Sequence, residues 1–482
     1  MHLHRSRLRL PHPIPARTLF AACLAAAFAT APARAANYYV SASGGSDADP
    51  GTQARPWKTL SKAVASARAG DSVRVLAGTY SDPASDAFRA FNPAQSGREG
   101  APIVFQSQPA RAAVLASSNR NHPAFGVNNR QYIVLDGFKV VGGIGFREGA
   151  DHGMIRNCEV TNGFIQEGDV SLDWGIYLAG ASHCVVEHNW VHAPAGLGNK
   201  THNGAAIMVI GVPANSDGNL IQYNEADGGN LWYNAFGQKA GLVNGNTWRR
   251  NVARNAICGF MGMGSTDNTK YSRDNLFQEN LVVDCRFAFE IDHNCTGFRI
   301  QGNTARNCPT FLYGGYRADG DAGISGFQVW NNIHAPAGGS GTFYQRDTKT
   351  PDWKQLLAYS DYNAIWSKPA AWNYGSASHA GLSAWRSATG FDAASISADP
   401  LFVDAARGDF HLAAGSPSRH AGIDRGGTSP GYASLGPDQG IYPRPEPEAF
   451  VGYRWNGPPP VEKKRPGPPV NLPAPLYDPI PD

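Results

Sequence analysis

The sequence predicts a right-handed parallel β-helix, an all-β solenoid, and three observations support this expectation. Between about residues 131 and 335, an Asn or Asp recurs three residues after an aliphatic or aromatic residue. From Asn157 onwards these polar residues lie roughly 23 to 35 positions apart, which is the repeat length of solenoids. Short β-type segments punctuated by Gly, Asn and Asp fill each repeat, and no helical apolar period persists over three turns.

The recurrent polar residue is expected to be structural. Its short side chain tolerates turn conformations, and an Asn amide can bond to the equivalent Asn of the next coil and so form a ladder. The series comprises Asp136, Asn157, Asn189, Asn224, Asn251, Asn280, Asn303 and Asn332.

The chain divides into three parts. Residues 1–35 have the form of a secretory signal peptide: Arg5, Arg7 and Arg9 precede a short apolar stretch at 18–30, and a small-x-small pattern ends at Ala35. About a dozen apolar residues are too few to span a bilayer, which needs about 20. We therefore expect a secreted or periplasmic protein with no membrane span. Residues 36–440 form the β-helix domain with an N-terminal cap and a closing segment, and 441–482 form a Pro-rich tail.

Charge and cysteine content narrow the possible partners. The formal net charge of +3, without a basic run in the body, argues against nucleic-acid binding, and we expect a monomer. Six cysteines remain after the signal segment, and none has the spacing of a metal or haem site. Buried thiols or bridges between neighbouring coils are both open, and the sequence does not define a pairing.

Both ends of the domain have distinctive sequences. Residues 57–69 (WKTLSKAVASARA) place Leu60, Ala63, Val64 and Ala67 on one helical face, which predicts a helix covering the first coil. Residues 38–80 resemble the opening of bacterial right-handed β-helix proteins of the pectate-lyase-like superfamily. Residues 399–424 resemble the segment that often closes them. The resemblance implies the same fold and a polysaccharide substrate.

Ionisable residues in the predicted strands form three clusters. Lys239 begins one strand, and Glu290 and Asp292 share a face of another, with His293 at its end. An acidic turn and a histidine one coil later form the third cluster: Glu167, Asp169, Asp173 and His202. Aromatic side chains that could stack on sugar rings are Trp174, Trp232, Tyr233, Tyr313 and Tyr316.

The segment around Lys239, followed by NTWRRNVARNAICGF, resembles the catalytic coil of calcium-assisted pectate lyases with a lysine base. This resemblance implies that Lys239 is the base, with Arg250 close by. It also implies that Asp169, Asp173 and Glu167 hold Ca²⁺. β-Elimination needs such a base, together with a cation that neutralises the uronate carboxylate.

Several functions remain open at this point. We expect a polysaccharide lyase, or a uronate epimerase that shares the proton-abstraction step, with Lys239 and the Glu290 strand facing one groove about two coils apart. The alternative is an inverting or retaining glycoside hydrolase using Glu290 and Asp292. A retaining geometry needs a separation of about 5–5.5 Å, with which the i, i+2 spacing is compatible. A third possibility is a non-catalytic, glycan-binding surface solenoid.

Overall fold

The computed structural model describes residues 35–81, 90–117, 120–166, 169–192, 204–229, 232–264, 271–315, 324–339, 341–346, 352–366, 371–374 and 377–425. Within these ranges the chain winds as a parallel β-helix, so the predicted fold class is confirmed. Each complete coil contributes one strand to each of three rows, and every strand pairs in parallel with the equivalent strand of the next coil.

Rows 1 and 2 belong to a 21-stranded sheet, and row 3 belongs to a 10-stranded sheet. Row 1 comprises Ile133–Asp136, Met154–Arg156, Val185–Glu187, Leu220–Gln222, Thr247–Arg249, Leu276–Gln278, Arg299–Gln301, Phe327–Trp330 and Leu357–Asp361. Row 2 comprises Lys139–Val141, Glu159–Thr161, Trp190–His192, Glu225–Asp227, Val252–Arg254, Leu281–Val283, Thr304–Arg306, Ile333–Ala335 and Ala364–Ile365. Row 3 comprises Phe125–Asn128, Ile144–Arg147, Asp169–Ala179, Ala205–Gly211, Asn234–Gly241, Cys258–Met263, Phe287–Asp292, Thr310–Gly314 and Thr342–Arg346.

The remaining elements flank these rows. Asn37–Val40, Ser72–Tyr80 and Ile103–Ala116 precede them, and Ile103–Ala116 pairs with the first strands of both row 1 and row 2. Phe164–Gln166 runs antiparallel to Asp169–Ala179. The short pairs are Ser272–Arg273 with Cys295–Thr296, Ala371–Tyr374 with Ala377–Ala380, and Phe402–Asp404 with Asp409–Leu412. The helices are Leu60–Ser66, Trp353–Leu356 and Leu382–Thr389, with 3₁₀ turns at Ala337–Gly339 and Ala405–Arg407.

The N-terminal helix Leu60–Ser66 is shorter than the sequence predicts. It begins after Thr59, whose hydroxyl accepts a hydrogen bond from the Lys62 N–H at 3.1 Å, an N-cap. It ends where Ala67 adopts an extended conformation, and Trp57 lies outside it in a bridge to Val40. Its apolar face is buried as expected. Its role as a cap on the first coil stays a prediction.

An asparagine ladder joins the coils at the corner between rows 1 and 2. From Asn224 onwards, each side-chain oxygen in the ladder accepts two hydrogen bonds, one from the backbone N–H and one from the amide of the Asn one coil earlier. The oxygen of Asn189 accepts from the backbone N–H of Cys158 at 3.0 Å. Each amide also donates to a backbone carbonyl, as Asn251 does to Ile221 at 2.9 Å. The predicted register of Asn251, Asn280 and Asn303 is confirmed. The ladder members are Asn189, Asn224, Asn251, Asn280, Asn303, Asn332 and Asn363.

The predicted ladder position was wrong for two residues of the series. Asp136 and Asn157 do not occupy ladder positions, because the strand register places Phe138 and Cys158 there. The Asn157 amide instead donates to the Asp136 carboxylate at 2.8 Å. The turn conformation is also displaced by one residue. The left-handed backbone is found just before the ladder position, as at Arg250 (φ 53°) before Asn251.

The ladder ends on a buried carboxylate. Asn363 donates its amide to Asp392 at 3.0 Å, and its backbone N–H donates to the Ser395 hydroxyl at 2.8 Å. Ser360 and Trp385 also donate to Asp392. Burial raises the pKa of Asp392. Asp392 and Ser395 therefore accept the hydrogen bonds that Asn363, the last Asn of the ladder, would otherwise donate to a further Asn.

The six cysteines that follow the signal segment are buried free thiols, the first of the two expected arrangements. At the C-terminal end, the closing segment folds back along the outer side of row 2, where Phe410 packs against Leu281 and Val283. Asn331 and Ile423 exchange hydrogen bonds of 2.8 and 2.9 Å farther along it. Among the described residues, no helix combines the length and apolarity needed to cross a membrane. The signal-like segment up to residue 34 and the Pro-rich tail lie outside the described residues.

We expect Asn280→Leu to lower the free energy of unfolding by about 1–3 kcal/mol, because the substitution leaves the buried Asn251 N–H and Trp248 carbonyl of the preceding coil without partners. Urea denaturation measures this difference. Asn215→Leu is the matched control, since Asn215 is exposed and outside the ladder. An equal effect of the two substitutions would contradict the structural role of the ladder.

A second prediction concerns the buried His334. Burial lowers its pKa to about 4 from the ordinary 6.5, and the ring contacts the Cys308 carbonyl at 2.8 Å. The unfolded chain therefore gains a proton before the folded protein does, so stability is lost as the pH falls from 6.5 towards 4. The shift corresponds to about 3 kcal/mol. His334→Phe should reduce the acid sensitivity of the free energy of unfolding relative to the wild type. Identical pH dependences in both proteins would assign the effect to other groups.

Candidate active site

The candidate site lies on the outward face of row 3. The side chain of Gln238 points inward, where it donates to Ser272 at 3.1 Å and accepts from Trp248 at 2.7 Å. Since successive side chains of a strand alternate, Lys239 points outward. It is only 8% exposed.

Lys239 and Asp292 occupy the same outward column. The register pairs Gln238 with Gly262, which places Lys239 beside Met263, and Met263 pairs with Asp292. The two residues are therefore two coils apart. At about 4.8 Å per coil, their Cα atoms are separated by roughly 10 Å. The predicted shared face, two coils wide, is thus confirmed.

Glu290 occupies the adjacent outward column, between Met261 and Tyr313 of the neighbouring coils. It is 4% exposed and makes a hydrogen bond with the Cys258 thiol. Burial, followed by the charge of Glu290, raises the pKa of Cys258 well above its ordinary value. The thiol thus stays protonated and acts as the donor to Glu290.

Asp292 extends in another direction, towards the following coil. A Cβ atom on Gly315 would overlap the Asp292 carboxylate, so this carboxylate fills the position that a side chain at 315 would occupy. Glu290 points towards Cys258 on the preceding coil. The two carboxyl groups therefore diverge from Cα atoms that are already about 6.6 Å apart.

His293 follows directly at the end of the strand. Its backbone is left-handed (φ 31°) and its carbonyl accepts a hydrogen bond from Gly264 at 2.7 Å. The ring is buried. The strand Phe287–Asp292 therefore brings Glu290 and Asp292 to the face that also holds Lys239, and His293 lies buried in the turn that follows.

Aromatic residues line part of this face. Tyr313 stacks on Phe287 with ring centroids 4.7 Å apart. Burial raises the pKa of Tyr233, and the charge of Glu290 raises it further. Tyr233 and Tyr313 are both half-buried and adjoin Glu290. Their contact with a substrate stays a prediction.

Two other predicted aromatic contacts require correction. Trp232 is fully buried, and its indole N–H donates to Asp173 at 3.3 Å. Trp174 is also fully buried and stacks on Tyr177 at 4.2 Å. Neither ring therefore presents a face to a sugar. The prediction was wrong because the sequence identifies the two aromatic residues but not the groups that enclose them in the fold.

The predicted calcium ligands are only partly described. Asp173 forms an ion pair with Arg120 and accepts the Trp232 indole N–H, and burial raises its pKa to about 6. A carboxylate already bound to a guanidinium does not fit as a calcium ligand. Among the described residues, no group of three or more His, Cys, Asp and Glu side chains is placed to hold a metal ion.

The side chains of four other predicted site residues are not described by the structure. Glu167, His202 and Tyr316 lie outside the described residues. Asp169 begins the strand Asp169–Ala179, but its side chain is not described.

Arg250 does not join the site. It lies at the corner between rows 1 and 2, where it donates to Glu279 at 2.6 Å and to the Tyr223 hydroxyl at 2.7 Å. The prediction that Arg250 lies beside Lys239 in the catalytic site is therefore wrong. The two residues are close in sequence, but the chain turns a corner between row 3 and row 1.

Sequence reasoning missed Cys258, Gly315 and Arg286, which all adjoin the site. A thiol, a glycine and a surface arginine carry no specific sequence signal. They become significant only through strand register, which places them next to Glu290 and Asp292.

Comparisons with known proteins concern the fold. A family model described as a protein of unknown function (DUF1565) matches residues 43–97. No protein with a curated description matches the sequence. The solved pectate lyase Pel9A is 17% identical over 85% of this chain and 96% of its own, with a TM-score of 0.47. An alginate lyase from Paenibacillus sp. is 18% identical over 59% of this chain and 94% of its own, with a TM-score of 0.40.

A lacto-N-biosidase of glycoside hydrolase family 136 from Eubacterium ramulus shows a comparable likeness. It is 12% identical over 69% of this chain and 64% of its own, with a TM-score of 0.48. At these identities the likeness extends to the course of the chain and carries no argument about activity. The chain itself is a parallel β-helix.

We predict that Gly315→Ala lowers the turnover of any substrate cleaved here by about 100-fold, because the added methyl group displaces the Asp292 carboxylate. Gly415→Ala is the control, since its Cβ would meet nothing within 4 Å. The rate constants of the purified variants measure the effect. Full activity of Gly315→Ala would exclude Asp292 from the reaction.

Proposed function

We propose that this protein cleaves a uronate-containing polysaccharide by β-elimination, with Lys239 as the base. The observation that supports the proposal is the shared outward column of Lys239 and Asp292, with Glu290 in the next column. All three side chains are shielded from water. Charges in such a site act more strongly on a reacting group than they would in water.

In this reaction the Lys239 amine removes the proton α to the uronate carboxyl group. The bond to the departing sugar oxygen then breaks and a carbon–carbon double bond forms. The leaving oxygen takes up a proton from water, and Lys239 afterwards releases the abstracted proton to solvent. The half-buried Tyr233 and Tyr313 lie beside the carboxylates, where they can contact the sugar.

Calcium remains a separate proposal for Glu167 and the Asp169 side chain, and no step above depends on it. When bound, such an ion would neutralise the uronate carboxylate. Secretion or periplasmic export also stays part of the proposal, supported by the signal-like segment.

A hydrolase is the second candidate, and the carboxylate pair favours it. Glu290 and Asp292 diverge from Cα atoms about 6.6 Å apart. This suits the separation of about 6.5–9.5 Å in inverting enzymes better than the 5–5.5 Å of retaining ones. Of the inverting and retaining mechanisms, the inverting one is therefore the form proposed for this second candidate.

Two substitutions distinguish the candidates. In a lyase, Lys239→Ala should lower turnover by several orders of magnitude, because the base acts in the transition state, and Glu290→Gln should be milder. In a hydrolase, Glu290→Gln should abolish turnover and Lys239→Ala should mainly weaken binding. Near-ultraviolet absorbance detects the unsaturated lyase product, and a reducing-end assay detects both reactions.

Lys354→Ala, an exposed lysine on the helix Trp353–Leu356, is the matched control. Repeating the assay with a chelator tests the calcium proposal alone. New reducing ends without new absorbance would reject the lyase. Full activity of both site variants would place the reaction elsewhere on the protein.

A further inference from the structure

Arg286 immediately precedes the strand that carries Glu290 and Asp292, and its side chain is exposed. The guanidinium carbon lies 4.9 Å from the centroid of the Phe287 ring. That ring stacks in turn on Tyr313 at 4.7 Å. The contact with Phe287 restrains a long side chain that would otherwise sample many rotamers.

The charge of the same guanidinium acts on Tyr233, a residue that borders the site. Burial raises the pKa of Tyr233, the charges of Glu290 and Asp292 raise it further, and that of Arg286 lowers it. Arg286 and the two carboxylates therefore act on one phenol group. This places an exposed cation at the edge of a buried acidic site.

Two buried carboxylates create a difficulty for a substrate that is itself an anion. A uronate carboxylate would be repelled by Glu290 and Asp292 unless a cation held it at a fixed position. Arginine suits this task, because its planar fork of N–H donors matches a carboxylate and it cannot be deprotonated in a protein. The exposed position of Arg286 makes it accessible to a sugar that enters from solvent.

We propose that Arg286 forms a carboxylate-binding subsite and makes the site selective for a uronate over a neutral sugar. The subsite consists of Arg286, held by Phe287, with the Tyr313 ring beside it. This inference rests on the proposed function, since it names the group that orients the acidic substrate. It assigns to an arginine of the chain part of the charge neutralisation that calcium would otherwise supply.

Binding of matched ligands tests the subsite. The probes are the trimers of galacturonate and of mannuronate, each as the free acid and as the methyl ester. Affinities are measured by titration calorimetry on a Lys239→Ala background, which removes the proposed base. Arg286→Gln should weaken binding of the acid by about 10- to 100-fold, the range for a lost charged hydrogen bond, and leave binding of the ester unchanged.

Two further variants sharpen the comparison. Arg286→Lys keeps the charge and should retain part of the affinity for the acid. Arg254→Gln removes an arginine that pairs with Glu225 on row 2, and it should bind both ligands with unchanged affinity. Circular dichroism establishes that each variant is folded.

The possible outcomes separate this inference from the proposed function. Unchanged affinity of Arg286→Gln for the acid would overturn the subsite, and so would an equal loss of affinity for the acid and the ester. The subsite is also overturned if neither of the two acids binds to the Lys239→Ala protein. Continued cleavage by Lys239→Ala would reject the proposed base. An Arg286-dependent preference for the acid would still support the subsite in that case.

Discussion

The structure depends on keeping every coil in register with the next. The described cysteines form no disulfide between coils. The register of each coil on the next is therefore set by hydrogen bonds and by the packing of equivalent side chains. The asparagine ladder supplies both kinds of constraint at one corner. Each amide bonds to the next coil and to a backbone carbonyl, and the residue before it takes a left-handed conformation. The hydrogen bonds offset the conformational cost of that turn, which is about 1–2 kcal/mol for most residues.

Fixed register has a direct consequence for the candidate site. Residues that are 53 positions apart in sequence, such as Lys239 and Asp292, share a column because the coil between them closes on the same ladder. A slip of one residue in one coil would turn Lys239 inward and expose Gln238. The chemistry proposed for row 3 thus depends on polar contacts at the opposite corner of the coil.

The site also requires room for its charges. Gly315 leaves space for the Asp292 carboxylate, and Cys258 provides a donor to Glu290. A larger residue at 315, or a coil without a donor at 258, would leave a buried carboxylate displaced or poorly satisfied. The tyrosines and Arg286 border the same carboxylates. Together these residues form a polar site on a face whose other outward residues include Met208, Ile210 and Met261.

The sequence by itself determined the solenoid, because the ladder asparagines and the short β-type segments recur with the coil period. It also predicted that Lys239, Glu290 and Asp292 share a face, since alternation along a strand and the repeat length suffice for that. It could not place Asp136, Asn157 or Arg250, because one residue of register or one corner moves a side chain to another column. The directions of the two carboxylates, the enclosure of Asp173 by Arg120 and Trp232, and the position of Arg286 were decided only by the tertiary structure. They depend on contacts between residues of different coils, which no local pattern records.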